Sequence, residues 1–140
     1  MKKFLLLLLF LIPNITFALP VTLNEYISKH PSWSSSDKAS FSYITSRCGL
    51  LFVVISERYK NMTGGEEIYK MSLMNAVTFT KVSSDTYKAI GGETVAFQER
   101  AKKWALIYGE EAVNNIDIYG EMIHGDIKSD FSTCTIKVKP

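Results

Sequence analysis

The longest periodic signal in the chain is the series Phe41, Ile44, Cys48, Leu51, Phe52, Ile55 and Tyr59, in which apolar residues recur at steps of three and four. That spacing returns a side chain to the same face once per turn, so it predicts a helix with one buried stripe. The serines at 34, 35 and 36 are its predicted N-caps, and it should end near Asn61, ahead of Gly64 and Gly65. From Gly49 to Ile55 the apolar character extends all round. This stretch is far shorter than the roughly 20 residues that cross a bilayer, so it marks a central helix covered by its neighbours.

Upstream, Thr22 and Glu25 have capping-box spacing, which predicts a short helix from about Leu23 to Lys29, closed by His30 and Pro31. Downstream, Thr63 and Glu66 repeat the same spacing and open a third helix, with Glu66 and Lys70 as a surface pair. Residues 77 to 82 alternate apolar and polar as a strand would. Met71, Leu73, Met74 and Ala76 run into them without a turn residue, so helix is the better reading.

After Gly91 and Gly92, the residues Val95, Phe97, Ala101, Trp104, Ala105, Tyr108 and Ala112 predict a fourth helix, with Glu99 and Lys103 paired at i, i+4. Asn114 and Asn115 read as a turn. Ile116, Tyr119, Ile123 and Ile127 then predict a final helix from about Asn115 to Lys128, and the tail after Cys134 reads as extended. The expected fold is all-α, a small bundle of four or five helices in one domain over residues 19–140.

The first 18 residues have a different character. Lys2 and Lys3 precede an unbroken apolar run from Phe4 to Ile12, followed by Pro13 and the small residues Thr16 and Ala18. This is the plan of a secretory signal peptide cut after Ala18. The run is too short to span a bilayer, so no stable membrane span is expected after cleavage; the competing reading is an uncleaved anchor. Removing Lys2 and Lys3 takes the sixteen basic residues to fourteen, against fourteen acidic ones. A neutral domain with arginine only at 47, 58 and 100 lacks the basic footprint of a nucleic-acid binder.

Export also decides how the two cysteines read. Cys48 and Cys134 belong to no C-x-x-C, and in an oxidising periplasmic or extracellular compartment they are expected to form one disulfide. Closing a loop of that length is worth about 4 kcal/mol in the chain-entropy model.

The sequence carries little catalytic chemistry. There is no G-x-S-x-G, no H-E-x-x-H and no C-x-x-C-H. Glu66 with Glu67, and Glu110 with Glu111, fit helix-dipole positions better than acid–base pairs, and Glu57 alone has a place for a glycosidase-type acid. Glu121 and His124 form an E-x-x-H, which on a helix would put a carboxylate and an imidazole one turn apart. With Asp117 a further turn back, they are the candidate metal ligands. No second E-x-x-H exists to complete a di-iron site, and no cofactor is called for. Asn61-Met62-Thr63 is a glycosylation sequon, relevant only in a eukaryotic host.

The expectation is therefore a non-catalytic binding or interaction module of the periplasm or extracellular space, docking on an envelope or extracellular protein. The alternative is a small metal-binding or hydrolytic enzyme built around Glu121 and His124.

Overall fold

The structure, a computed structural model, describes residues 20–140. The expected signal peptide lies outside the described residues. Five helices follow in order: α1 (Leu23–Lys29), α2 (Lys38–Tyr59), α3 (Glu66–Ala89), α4 (Thr94–Tyr119) and α5 (Gly125–Ile136). Among the described residues there is no strand, and the protein is all-α.

α2 is the hub, as its all-round apolar middle predicts. Ile44, Cys48, Leu51, Phe52 and Ile55 are buried, and α3, α4 and α5 all pack on this helix. By length and composition alone α2 could cross a membrane, but 72% of its most apolar stretch is buried inside the protein. Its contact with α3 is the most extensive in the fold. Small residues make that contact close. Ser42 donates to the Ser83 carbonyl at 3.0 Å, and Ser83 donates back to the Ser42 carbonyl at 2.6 Å. A Cβ on Gly49 would sit 2.6 Å from Thr80 Oγ1 and 3.1 Å from Thr80 N, so glycine is what lets the helices approach.

Two local predictions hold atom by atom. Thr22 caps α1 by accepting from the Glu25 N–H, while the Glu25 carboxylate accepts from the Thr22 N–H at 2.9 Å. Residues 77–82 are helical, with Ala76, Phe79 and Ser83 buried and Thr78 returning its hydroxyl to the Met74 carbonyl at 2.9 Å.

Other details differ. The cap of α2 is Asp37, which accepts from the Ser40 N–H at 2.9 Å, while serines 34–36 form a turn in which the Ser35 and Ser36 N–H groups donate to the Ser32 carbonyl. Gly65, not Thr63, precedes α3, and it makes no side-chain cap. On α4, Lys102 rather than Lys103 pairs with Glu99, at 2.9 Å.

The largest correction concerns the C-terminal third. α4 runs straight through Asn114 and Asn115 to Tyr119, and ends where Gly120 adopts a left-handed φ of 75°. The expected helix from Asn115 to Lys128 is thus divided between α4 and α5. The reason is tertiary: Asn115 is buried, and its side-chain amide donates to the carbonyls of Met122 at 3.1 Å and His124 at 3.2 Å. Instead of starting a turn, it holds the following loop against its own helix. α5 continues to Ile136, so Thr135 and Ile136, expected in an extended tail, are helical.

Candidate interaction surface

The polar groups nearest the centre of the fold surround Arg47. This residue lies on the buried stripe of α2, a turn from both Ile44 and Leu51, and it is wholly inaccessible to solvent. Its Nη2 meets Asp130 of α5 at 2.5 Å, its Nε donates to the Tyr108 hydroxyl at 3.0 Å, and its Nη1 donates to the Val21 carbonyl at 2.8 Å. The guanidinium carbon lies 3.8 Å from the Trp104 ring centroid, a cation–π contact. Asp130 is equally buried. It accepts from Tyr108 at 2.5 Å and from the Leu23 N–H at the start of α1 at 2.6 Å.

Burial pushes the Asp130 carboxyl above its ordinary value against the downward pull of Arg47, Tyr108 and Leu23. Burial also drives the Tyr108 hydroxyl well above the tyrosine range, so it stays a donor. Next to this cluster the sulfurs of Cys48 and Cys134 lie at disulfide distance, 2.06 Å. Cys48 follows Arg47, and Cys134 is one turn beyond Asp130. Ion pair and disulfide therefore join the same two helices, and every strong donor in the cluster is consumed internally. Such a site positions helices; it has no open face on which to hold a substrate.

The candidate metal ligands are placed differently from the expectation. Asp117 is on the last turn of α4, whereas Glu121 and His124 fall in the connection before α5. Glu121 Oε1 is 3.1 Å from His124 Nδ1, and the His124 ring stacks on Tyr119 at 3.7 Å between centroids. Among the described residues, no three His, Cys, Asp or Glu side chains come together as a metal-binding group. Of the paired glutamates, Glu110 lines a groove on α4, and Glu111 has its carboxyl raised above the ordinary value by partial burial and by the nearby Asp126 carboxylate.

A shallow groove of about 270 Å³ lies beside the start of α2, lined by Trp33, the serine turn, Lys38, Phe41 and Thr86. Trp33 is half-buried and nearly parallel to Phe41, with an interplanar angle of 12° and centroids 6.2 Å apart. Its place is the rim of the core.

The outward sides of α3 and α4 are of another kind. On α3, Met71, Met74 and Val77 follow one another at i+3, and Leu73 stands beside Val77 at i+4. Met74 is 64% exposed and Val77 62%, although Ser72, Ala76, Phe79 and Ser83 on the opposite side are buried. On α4, Val95, Leu106 and Val113 are exposed opposite the buried Phe97, Trp104, Tyr108 and Ala112. Isolated apolar residues, like the widely spaced ones of α4, are ordinary on a protein surface, but a contiguous band such as that on α3 is the usual sign of an interaction face.

The periodicity includes Met71, Leu73 and Met74 in α3 and Val95 in the α4 stripe without marking them as outward, and the structure exposes all four. The signal was available on α3, where Met71, Met74 and Val77 recur at i+3 on a different side from Ala76 and Phe79. Arg47 was legible too, as a charge sharing the stripe of Ile44 and Leu51.

No protein-family model matches this chain, and neither curated proteins nor solved structures match it.

Proposed function

We propose that the protein is a non-catalytic, extracytoplasmic interaction module whose outward α3 face docks on an apolar helix or groove of an envelope or extracellular protein. The observation that carries this reading is the exposed band of Met71, Leu73, Met74 and Val77. Methionine suits such a face because its unbranched, polarisable side chain adapts to the shape it meets. The buried charges support the same reading, since Arg47, Asp130 and Tyr108 are committed to one another. The extracytoplasmic half rests on the N-terminal pattern and on the Cys48–Cys134 pair, a bond that oxidising compartments sustain.

The interaction is tested by a photo-crosslinking amino acid placed at Met74 or Val77 in the exporting cell, with Glu93 as an exposed control. Discrete adducts from 74 and 77, absent from 93, support the docking face. Equal labelling from all three positions, or none, rules it out. The compartment is tested separately by the intact mass of the purified protein. A chain beginning at Leu19 and lacking the two cysteine hydrogens agrees with export, and a full-length chain with free thiols removes that half of the proposal.

A further inference from the structure

We propose that the outward face of α4 pairs with the same face of a second copy of this chain, antiparallel, about a two-fold axis passing between Gly109 and Glu110. Residues 71–77 take no part in it, so it goes beyond the docking role proposed for α3.

The exposed positions of α4 are arranged symmetrically. Lys102, Leu106, Gly109, Val113 and Asp117 follow at steps of four, three, four and four, which keeps them on one side of the helix. The midpoint of Leu106 and Val113 coincides with the midpoint of Lys102 and Asp117, and both fall between Gly109 and Glu110. A two-fold axis there sets Leu106 against Val113 of the second copy and Lys102 against Asp117 of the second copy. Each match then occurs twice, as an isologous interface requires. Leu106 is 66% exposed and Val113 57%, so both have apolar surface to bury. Asp117 has no cation within ion-pair distance among the described residues, and Lys102 is held only by the exposed Glu99 of its own helix. An exposed pair of that kind is cheap to exchange.

Gly109 has no evident purpose within the chain. A glycine in a helix interior is less stable than alanine, yet a Cβ at this position would meet nothing within 4 Å. Its lack of a side chain leaves a shallow hollow between Leu106 and Val113, part of a groove of about 500 Å³ that also includes Ala105, Asn114 and the exposed Glu110, which the two-fold would set against Gly109 of the second copy. At the centre of a two-fold contact that hollow allows two backbones to approach closely.

The contact is a single pair of helices, so the dimer should be reversible, with a dissociation constant in the micromolar range. The test is sedimentation velocity on the oxidised, exported protein across that concentration range. A concentration-dependent monomer–dimer equilibrium is expected, abolished by Leu106→Lys and by Gly109→Gln without loss of thermal stability. Lys102→Asp and Asp117→Lys should each weaken it about ten-fold through like-charge juxtaposition, and the double variant Lys102→Asp with Asp117→Lys should restore it. A monomer at every concentration overturns the proposal. So does a dimer indifferent to Leu106→Lys and Gly109→Gln, or a failure of the double variant to recover. A dimer formed only by protein retaining residues 1–18 would assign the face to that segment and also overturn the proposal.

Discussion

Where α2 meets α4 and α5, an arginine and an aspartate are buried completely; on the outward sides of α3 and α4, methionine, leucine and valine face solvent. The two regions reverse the usual partition of polar and apolar groups, and each inversion has its own physical account. In the interior, charge is tolerated because it is saturated with partners. Asp130 accepts from Arg47, Tyr108 and the backbone of Leu23, and Arg47 also reaches the Val21 carbonyl. A pair so buried contributes little net energy over an apolar replacement, but it accepts only one arrangement of the four elements it joins. On the outer faces no internal partner exists, and the apolar surface there contributes nothing to the monomer. The interior cluster thus belongs to folding, and the outer faces are where association is proposed.

The contrast makes its strongest prediction at Arg47. Arg47→Met leaves Asp130 buried without its cation and should cost about 3–5 kcal/mol in urea unfolding, whereas Arg47→Met with Asp130→Leu should recover a large part of the loss. If the double variant is no more stable than the single one, the cluster does more than orient helices. Second in size, Cys48→Ser or reduction should cost about 2–4 kcal/mol, because the Cys48–Cys134 bond closes a long loop and so limits the freedom of the unfolded chain. An unchanged thermal midpoint would mean that Arg47 and Asp130 hold α5 unaided.

A smaller effect is expected at the start of α1, which rests on the same cluster. Thr22→Ala should cost about 1 kcal/mol through loss of the cap. The Glu25 carboxyl is held below its ordinary value by hydrogen bonds from the Thr22 backbone and side chain. Its folded pKa being the lower one, its contribution is complete above the usual glutamate value and is lost as pH falls through the folded value. Amide protection at residues 23–27, taken relative to the intrinsic exchange rate at each pH, should therefore fall in acid before that of α2, and simultaneous loss would refute a separate cap. The smallest effect belongs to the outer face: Met74→Lys with Val77→Lys should change stability by less than about 0.5 kcal/mol while removing the adducts formed by a crosslinker placed at the neighbouring exposed Met71. A large destabilisation would place that band in the folding region after all.

Most of the fold could be read along the chain where the governing interactions are local. The cap of α1, the buried stripe of α2 and the helical character of residues 77–82 depend on neighbours within a turn or two. The C-terminal third could not, because Asn115 is a turn former by its own preference and became a helical residue only by bonding to Met122 and His124 beyond the helix end. The candidate ligands illustrate the same dependence. Glu121 and His124 have helical spacing, but the left-handed Gly120 ends the helix before them. The outer faces of α3 and α4 were present in the periodicity, but a sequence does not say which of two stripes will be covered.

By itself, then, the sequence determined the all-α class, four of the five helices in outline, the cysteine pairing and the absence of a familiar catalytic motif. Only the tertiary structure decided which apolar stripes lie inside, that Arg47 and Asp130 meet across 83 positions, and where the last two helices divide. The physical reason is one of range. Helix formation follows from contacts three and four residues apart, whereas burial, ion pairing and the fate of a turn residue depend on groups that become neighbours only when the chain has folded.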